Sequence, residues 1–245
     1  MTDLALWFEK MKDNFILNFI ADNRWRYLWE GLKITLKVTF FAVLIGIAIG
    51  VVVAVIRSTY DQTAETARKG FGRMLLGLLN GVCKLYLTVI RGTPVVVQLM
   101  ITYYVIFVSS NDKVMVAILA FGINSGAYVA EIVRSGIMSI DRGQFEAGRS
   151  LGFNYVQTMW NIIIPQAFKN VLPALANEFI VLLKETSVSG FIGLQDLTKG
   201  GDIIRSRTYS AFMPLIGVAI IYLVMVMFFS WLVGKLERRL RIGDR

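Results

Sequence analysis

The sequence predicts an all-α membrane protein with five transmembrane helices and a structured loop between the third and the fourth. Three observations predict it. Of 245 residues, 56% are hydrophobic and only 18% charged, whereas a soluble domain carries about a quarter charged residues. The runs Val38–Ile56 and Ala211–Val233 are uncharged and match the roughly twenty apolar residues a membrane helix requires. Between two strongly apolar segments lies a polar, turn-containing island, residues 139–165, which must sit outside the lipid while its neighbours sit inside.

The chain divides into residues 1–30, an N-terminal amphipathic segment; 31–235, the membrane domain including the island; and 236–245, a basic tail. In the first, Asp3, Glu9, Lys10, Lys12 and Asp13 interrupt any signal-peptide core. Leu4, Phe8, Met11, Phe15 and Phe19 recur at helical spacing, as in a helix lying along the membrane interface or packed on the outside of a bundle.

The first span is expected at Leu32–Ile56, where Gly46 and Gly50, four apart, allow another helix to approach closely. A hydrophilic connector follows from Arg57 to Arg73, with Asp61, Glu65, Arg68 and Lys69. The stretch Met74–Val108 is too long for one straight crossing. It reads as an interfacial or tilted portion that bends at Arg91-Gly92-Thr93-Pro94 and then crosses, because proline cannot continue the helical hydrogen-bond ladder.

Val114–Met138 is the third span. Asn124, Tyr128, Glu131 and Ser135 fall at intervals of four, three and four and so share one helix face. A carboxylate at mid-membrane costs roughly 3 kcal/mol unless it meets a polar interior. The face therefore looks into a cavity or a subunit seam, or Glu131 simply pairs with Arg134. The fourth span, Phe168–Val188, carries Asn177, Glu178, Lys184, Glu185, Thr186 and Ser187 on a broad stripe. Adjacent Lys184 and Glu185 offer the two charges a zwitterion would need, or neutralise each other. Gly190–Arg207 reads as a glycine-dotted connector and Ala211–Val233 as the fifth span.

Five crossings place the termini on opposite sides. Lys235, Arg238, Arg239, Arg241 and Arg245 form the densest basic run, so the C-terminus is expected in the cytoplasm, with the N-terminus outside and the island inside. The island has good local logic: an opening turn at Asp141–Gln144, a helix Phe145–Leu151, a left-handed stop at Gly152, and a second helix Tyr155–Ile163 before Pro165.

Composition excludes several functions. The net charge of +9 comes from Lys and Arg flanking apolar segments, not from a basic face of the kind that binds nucleic acid. There is no histidine and one cysteine, Cys83, so no metal site or catalytic constellation assembles and no catalytic residue is expected. No phosphate loop of the G-x-x-x-x-G-K-[ST] type occurs, so the chain is not expected to hydrolyse ATP.

Glu146-Ala147-Gly148, with Gly152 six residues after the Glu and then Ile162-x-Ile164-Pro165, resembles the EAA loop of ABC-importer permeases. The wider run is closer: Ser125-Gly126-Ala127-Tyr128-Val129-Ala130-Glu131-Ile132-Val133-Arg134-Ser135-Gly136-Ile137, Gly143-Gln144-Phe145-Glu146-Ala147, Leu151-Gly152, Pro165-Gln166-Ala167 and Leu172-Pro173. With Arg91-Gly92-Thr93-Pro94 and Lys184-Glu185-Thr186-Ser187, this resembles the polar amino acid permeases of type I ABC importers over about residues 30–235. Gly148 stands where that family more often has Ala, and Ile164 where it often has Leu.

The resemblance implies a prokaryotic inner-membrane subunit with defined partners. Two copies, or two related chains, form the pathway; the homodimer is favoured. Two cytoplasmic ATPase subunits, which bind ATP-Mg, each receive one coupling helix, and an external substrate-binding protein delivers the amino acid. The coupling residues carried over are Glu146, Ala147, Gly148, Leu151 and Gly152. For the substrate path the expectation is Asn124, Tyr128 and Glu131 with Lys184, Glu185, Thr186 and Ser187. Glu131, Glu178 and Glu185 would suit a cationic side chain. The rival reading is an ATP-independent channel or secondary transporter, which should show an internal repeat; no convincing repeat is present.

Overall fold

The computed structural model describes residues 3–63 and 70–241. Glu65, Arg68, Lys69 and Arg245 lie outside the described residues. Every element among them is helical, in the order α1 (Asp3–Phe15), α2 (Trp25–Thr63), α3 (Phe71–Gly92), α4 (Val95–Ile101), α5 (Lys113–Met138), α6 (Arg142–Ser150), α7 (Tyr155–Thr158), α8 (Ile164–Glu185), α9 (Leu197–Thr208) and α10 (Phe212–Arg241). Among the described residues, four helices are long and apolar enough to cross a membrane: Trp25–Gln62, Phe71–Gly92, Lys113–Met138 and Phe212–Leu240. Helix α8 has 22 residues and, despite Lys169, Glu178, Lys184 and Glu185, packs antiparallel to α5.

The two ends of the bundle are defined by its connectors. At the loop end α5 passes into α8 through α6 and α7; at the far end α8 passes into α10 through α9. Helix α2 runs from the far end to the loop end and packs most intimately on α5. Small residues make this approach possible. A Cβ on Gly50 would lie 2.5 Å from Val129 Cγ1, one on Gly46 2.9 Å from Ser125 Oγ, and one on Gly122 2.8 Å from Ile45 Cγ2. The pair read at positions 46 and 50 is thus met by Ser125 and Val129, and α5 adds a glycine of its own, Gly122, against Ile45.

The bend at Gly92–Pro94 is present, but the lengths on its two sides differ from expectation. The portion before it, α3, is span-length, whereas Val95–Ile106 after it is shorter. Helix α3 passes Tyr60 at Gly77 and reaches the middle of α5, where Tyr86 Oη donates to the Ile123 carbonyl at 2.6 Å. Helix α4 and the wider, π-helical turn Thr102–Ile106 continue to the far end, where Tyr104 Oη donates to the Phe191 carbonyl. Pro94 has no N–H to give the carbonyl of Ile90, and Gln98 Nε2 takes that place at 2.7 Å, also reaching Thr93. A break inside a membrane survives only when the freed backbone groups are satisfied in this way.

Three expectations need correction in outline. The glycine-dotted connector of residues 190–207 is ordered helix: Thr186–Ile192 forms 3-10 turns and α9 follows. Gly200 and Gly201 serve close packing, since a Cβ on them would fall 2.4 Å from the Tyr27 carbonyl oxygen and from Val218 Cγ2, while Gly193 makes a left-handed turn at φ +68°. The tail does not separate from the last span, because α10 continues to Arg241. Pro165 does not end a helix either. It sits in the first turn of α8, which follows directly on the π-helical turn Met159–Ile163, so the widened turn and the proline fall together.

Candidate functional site: the polar face of α5 and the loop between α5 and α8

Helix α5 turns one face to α2 and another to α3, α4 and α8. On the second, Asn124 is 2% exposed and donates to Gln98 Oε1 at 2.9 Å, while its own Oδ1 is buried without a partner. The next residue, Ser125, donates to Glu178 Oε1 at 2.8 Å, both side chains buried. This places a carboxyl group at mid-bundle, bridging α5 and α8. One turn on, Tyr128 lies under the Arg91 guanidinium, 5.7 Å from the ring centroid.

Glu131 faces three arginines. Arg57 Nη1 stands 3.4 Å and Arg91 Nη1 3.8 Å from Oε1, with Arg134 Nη1 3.9 Å from Oε2. The pairing with Arg134 expected from spacing is therefore the loosest of the three. Arg134 instead holds Asp61, at 3.0 and 3.2 Å.

The structure separates the substrate residues expected on α8. Residues 177, 181 and 184 are exposed, whereas 178 and 182 are buried against α5 and 185 is half-buried. Thr186 is buried and donates to the Leu183 carbonyl, and Ser187 lines a hollow of about 340 Å³ with Lys199 and Asp202 at the far end. Because α5 and α8 are antiparallel and meet at Ser125–Glu178, Glu131 and Glu185 lie on opposite sides of that pair. Thirteen residues of helix separate their levels, about 20 Å. The seven predicted substrate residues thus form two groups, with Glu178 between them.

Sequence reasoning named Glu178 only as an acid that would suit a cationic side chain, and it missed Gln98, Ser125, Arg57 and Arg91 as site residues. Arg91 stood inside a quoted motif, which was the available signal. The Ser125–Glu178 and Gln98–Asn124 pairs join residues far apart in sequence and left none.

The island keeps the expected left-handed stop and second helix, but α6 begins at Arg142, inside the opening turn expected over Asp141–Gln144. Asp141 caps α6 by accepting from the Gly143 N–H, Gly152 is left-handed at φ +82°, and Asn154 and Gln157 form a capping box at the start of α7. Gly148 is buried because α6 leans on α7: a Cβ there would meet Thr158 Cγ2 at 2.7 Å. Glu146, Ala147, Leu151 and Gly152 are exposed. Large apolar side chains stand out beside them: Leu151 is 72%, Val156 70% and Trp160 72% exposed.

Residues 46–242 match the family of binding-protein-dependent transport system inner membrane components. The chain belongs to this family. It is the membrane permease of a type I ABC importer, of the polar amino acid group. It is 38% identical over 186 residues to the arginine transport system permease protein ArtQ of Bacillus subtilis, covering 70% of this chain and 85% of that one. It is also 38% identical over 178 residues to the glutamine transport system permease protein GlnP of Escherichia coli K12, covering 71% and 81%. A crystal structure of an amino acid ABC transporter with histidines superposes with a TM-score of 0.76 at 43% identity, over 87% of this permease and 94% of that chain. The MetNI methionine ABC transporter shares the fold at 20% identity, with a TM-score of 0.73 over 87% and 95%.

Proposed function

We propose that this permease forms, with a second copy, the pathway of an ATP-driven importer for polar amino acids, and that α6 and α7 are the element on which a cytoplasmic ATPase acts. The chain then crosses the membrane five times, by α2, by α3 with α4, by α5, by α8 and by α10. The loop end is cytoplasmic, the N-terminus outside, and α1 rests on the outer interface with Trp7 and Phe8 exposed. The relatives named for arginine and glutamine transport support a polar substrate, and the carboxyls of Glu178 and Glu185 favour a basic one.

The observation that carries the coupling role is mechanical continuity. From Tyr155 the chain runs helically without interruption through Ile163 into α8, and α8 bears Glu178, hydrogen-bonded to Ser125 of α5. A displacement applied to the exposed α6–α7 surface is carried along α8 and shifts the mid-bundle polar groups. ATP binding and hydrolysis by the partner subunits supply that displacement. This chain's residues hold the substrate in a low-dielectric path, where charge-assisted hydrogen bonds are strong. An extracytoplasmic binding protein delivers the amino acid at the far end.

Glu146→Ala tests the coupling. The variant is expected to insert normally and to lose co-purification of the ATPase or its substrate-stimulated activity; retention of both would refute the role of α6. Glu131→Gln and Glu185→Gln should each change substrate-stimulated ATPase activity in an assembled complex. Uptake by reconstituted permease without any ATPase would establish the channel reading instead.

A further inference from the structure

A hollow of about 470 Å³ opens between α2, α3 and α5, lined by Arg57, Lys84, Thr88, Arg91, Gly92 and Glu131. Three cations face one carboxylate, so the hollow is positive with a single acidic group. Its charges are poorly matched to one another. The contacts of Arg57 and Arg91 to Glu131 are 3.4 and 3.8 Å, longer than the roughly 2.7–2.9 Å of a charge-assisted hydrogen bond. Elsewhere in this chain such pairs close properly: Lys199–Asp202 at 2.8 Å and Arg134–Asp61 at 3.0 Å. Arg57 Nε is buried with no hydrogen-bond partner.

Glu131 lies six residues from Ser125 toward the loop end, about 9 Å below the mid-bundle carboxyl of Glu178. Thr88 and Gly92 leave the wall between Lys84 and Arg91 low, and a Cβ at Gly92 would meet nothing within 4 Å. We infer that this hollow is a subsite on the loop-end side of the path that receives the α-carboxylate of the transported amino acid on Arg57, Lys84 and Arg91, with Glu131 facing its ammonium group. The inference rests on the amino acid reading above and adds to it a place where the substrate's common headgroup is held apart from its side chain. A carboxylate offers two oxygens with lone pairs in one plane, the acceptor that two guanidinium groups bind best. Glu131 offsets the mutual repulsion of the arginines until the ligand arrives.

The test uses the permease–ATPase complex in lipid nanodiscs without a binding protein, and measures direct binding of L-arginine and L-glutamine, with agmatine as the probe lacking the carboxylate. Wild type is expected to prefer L-arginine over agmatine. Arg91→Gln and Lys84→Gln should each weaken L-arginine and L-glutamine about tenfold or more, the loss of one charged hydrogen bond, and leave agmatine unchanged. Arg91→Lys should recover part of the loss. Lys84 is exposed, so its variant reads the subsite without disturbing the core. Variants that keep the wild-type preference while the amino acids still stimulate ATPase activity would overturn the subsite and leave the importer reading standing. Wild type that responds to no amino acid would sink both. If the variants change activity only in phosphatidylglycerol discs, and not in phosphatidylcholine discs, with the preference intact, the hollow holds a lipid phosphate and the proposal is wrong.

Discussion

The two connectors flanking α8 are both helical and both begin with an acid- or amide-capped turn, yet they end up in opposite states. At the far end, α9 is packed down. Leu197 and Ile204 are fully buried, Gly200 lies against the Tyr27 carbonyl, and the Leu197 N–H donates to Thr35 Oγ1 at 3.1 Å. At the loop end, α6 and α7 bury Gly148 and Thr158 against each other and leave Leu151, Val156 and Trp160 in the open. At the far end α9 itself is packed down, with Phe191 and Tyr209 exposed at its edges; at the loop end the connector's own large apolar side chains stand uncovered. A surface of that kind marks an interaction site. On the coupling proposal, the loop end receives force and the far end resists it.

If that contrast is right, the far end should be the costlier to disturb. A Cβ on Gly31 would stand 2.5 Å from the Asp196 carbonyl oxygen, a backbone atom that moves only if α9 lifts. Gly31→Ala should therefore cost about 3 kcal/mol, the upper range of overpacking, seen as a lowered Tm of the detergent-solubilised permease. Gly152→Ala at the loop end strains one left-handed residue and should cost about 1 kcal/mol. Equal losses would remove the contrast.

Asp196 sharpens it through pH. Burial pushes its carboxyl up to about 6 although it accepts from the Thr198 and Lys199 N–H groups. The folded protein thus holds this proton more tightly than the unfolded chain. The stability it contributes is complete below about pH 4 and is lost as pH rises through about 6, by no more than about 3 kcal/mol. Asp196→Asn keeps a capping side chain and should flatten the Tm profile between pH 4 and 6. Asp202, held below the usual carboxylate range by Lys199 and Arg205, works in the opposite direction only at lower pH. An unchanged slope in the variant would show that the α9 cap is not the titrating element.

How far the sequence foretold this contrast follows from the range of the interactions involved. Caps, stops and breaks are local, so Asp141, Gly152 and Pro94 announced their structures. The polar face of α5 was also legible, because 124, 128 and 131 share a face by helical period alone. Whether residues on two helices meet depends on axial register, which no local pattern encodes. Lys184–Ser187 were therefore grouped with Glu131 although about 20 Å of helix separates their levels, while Ser125 and Glu178, which do meet, were not paired. The glycines of 190–207 misled for a related reason: the same residue serves a flexible turn and a tight backbone contact, and only the neighbouring α2 decides between them.

Gly148→Ala probes the seam inside the loop. The substitution gains up to about 1 kcal/mol of helix propensity but sets a Cβ 2.7 Å from two atoms of Thr158, whose short β-branched side chain has little room to turn. A net loss of about 1 kcal/mol is expected, recovered in Gly148→Ala with Thr158→Ala; a double-mutant cycle without coupling would show that α6 and α7 do not lean on each other.

The smallest effect on the permease itself is expected from the residues that protrude most. Leu151→Ser with Trp160→Ser removes two large apolar side chains that are 72% exposed each, and so deletes almost no contact within the chain. Such surface changes stay within about 0.5 kcal/mol, so Tm and expression should match wild type. The loss should fall instead on the partner: an interface core of exposed Trp and Leu is where docking energy concentrates, and pull-down of the ATPase should fail together with substrate-stimulated hydrolysis. A stable double variant that still retains its ATPase would mean that the uncovered apolar side chains at the loop end meet lipid, and that force enters the bundle through Glu146 and the polar side of α6.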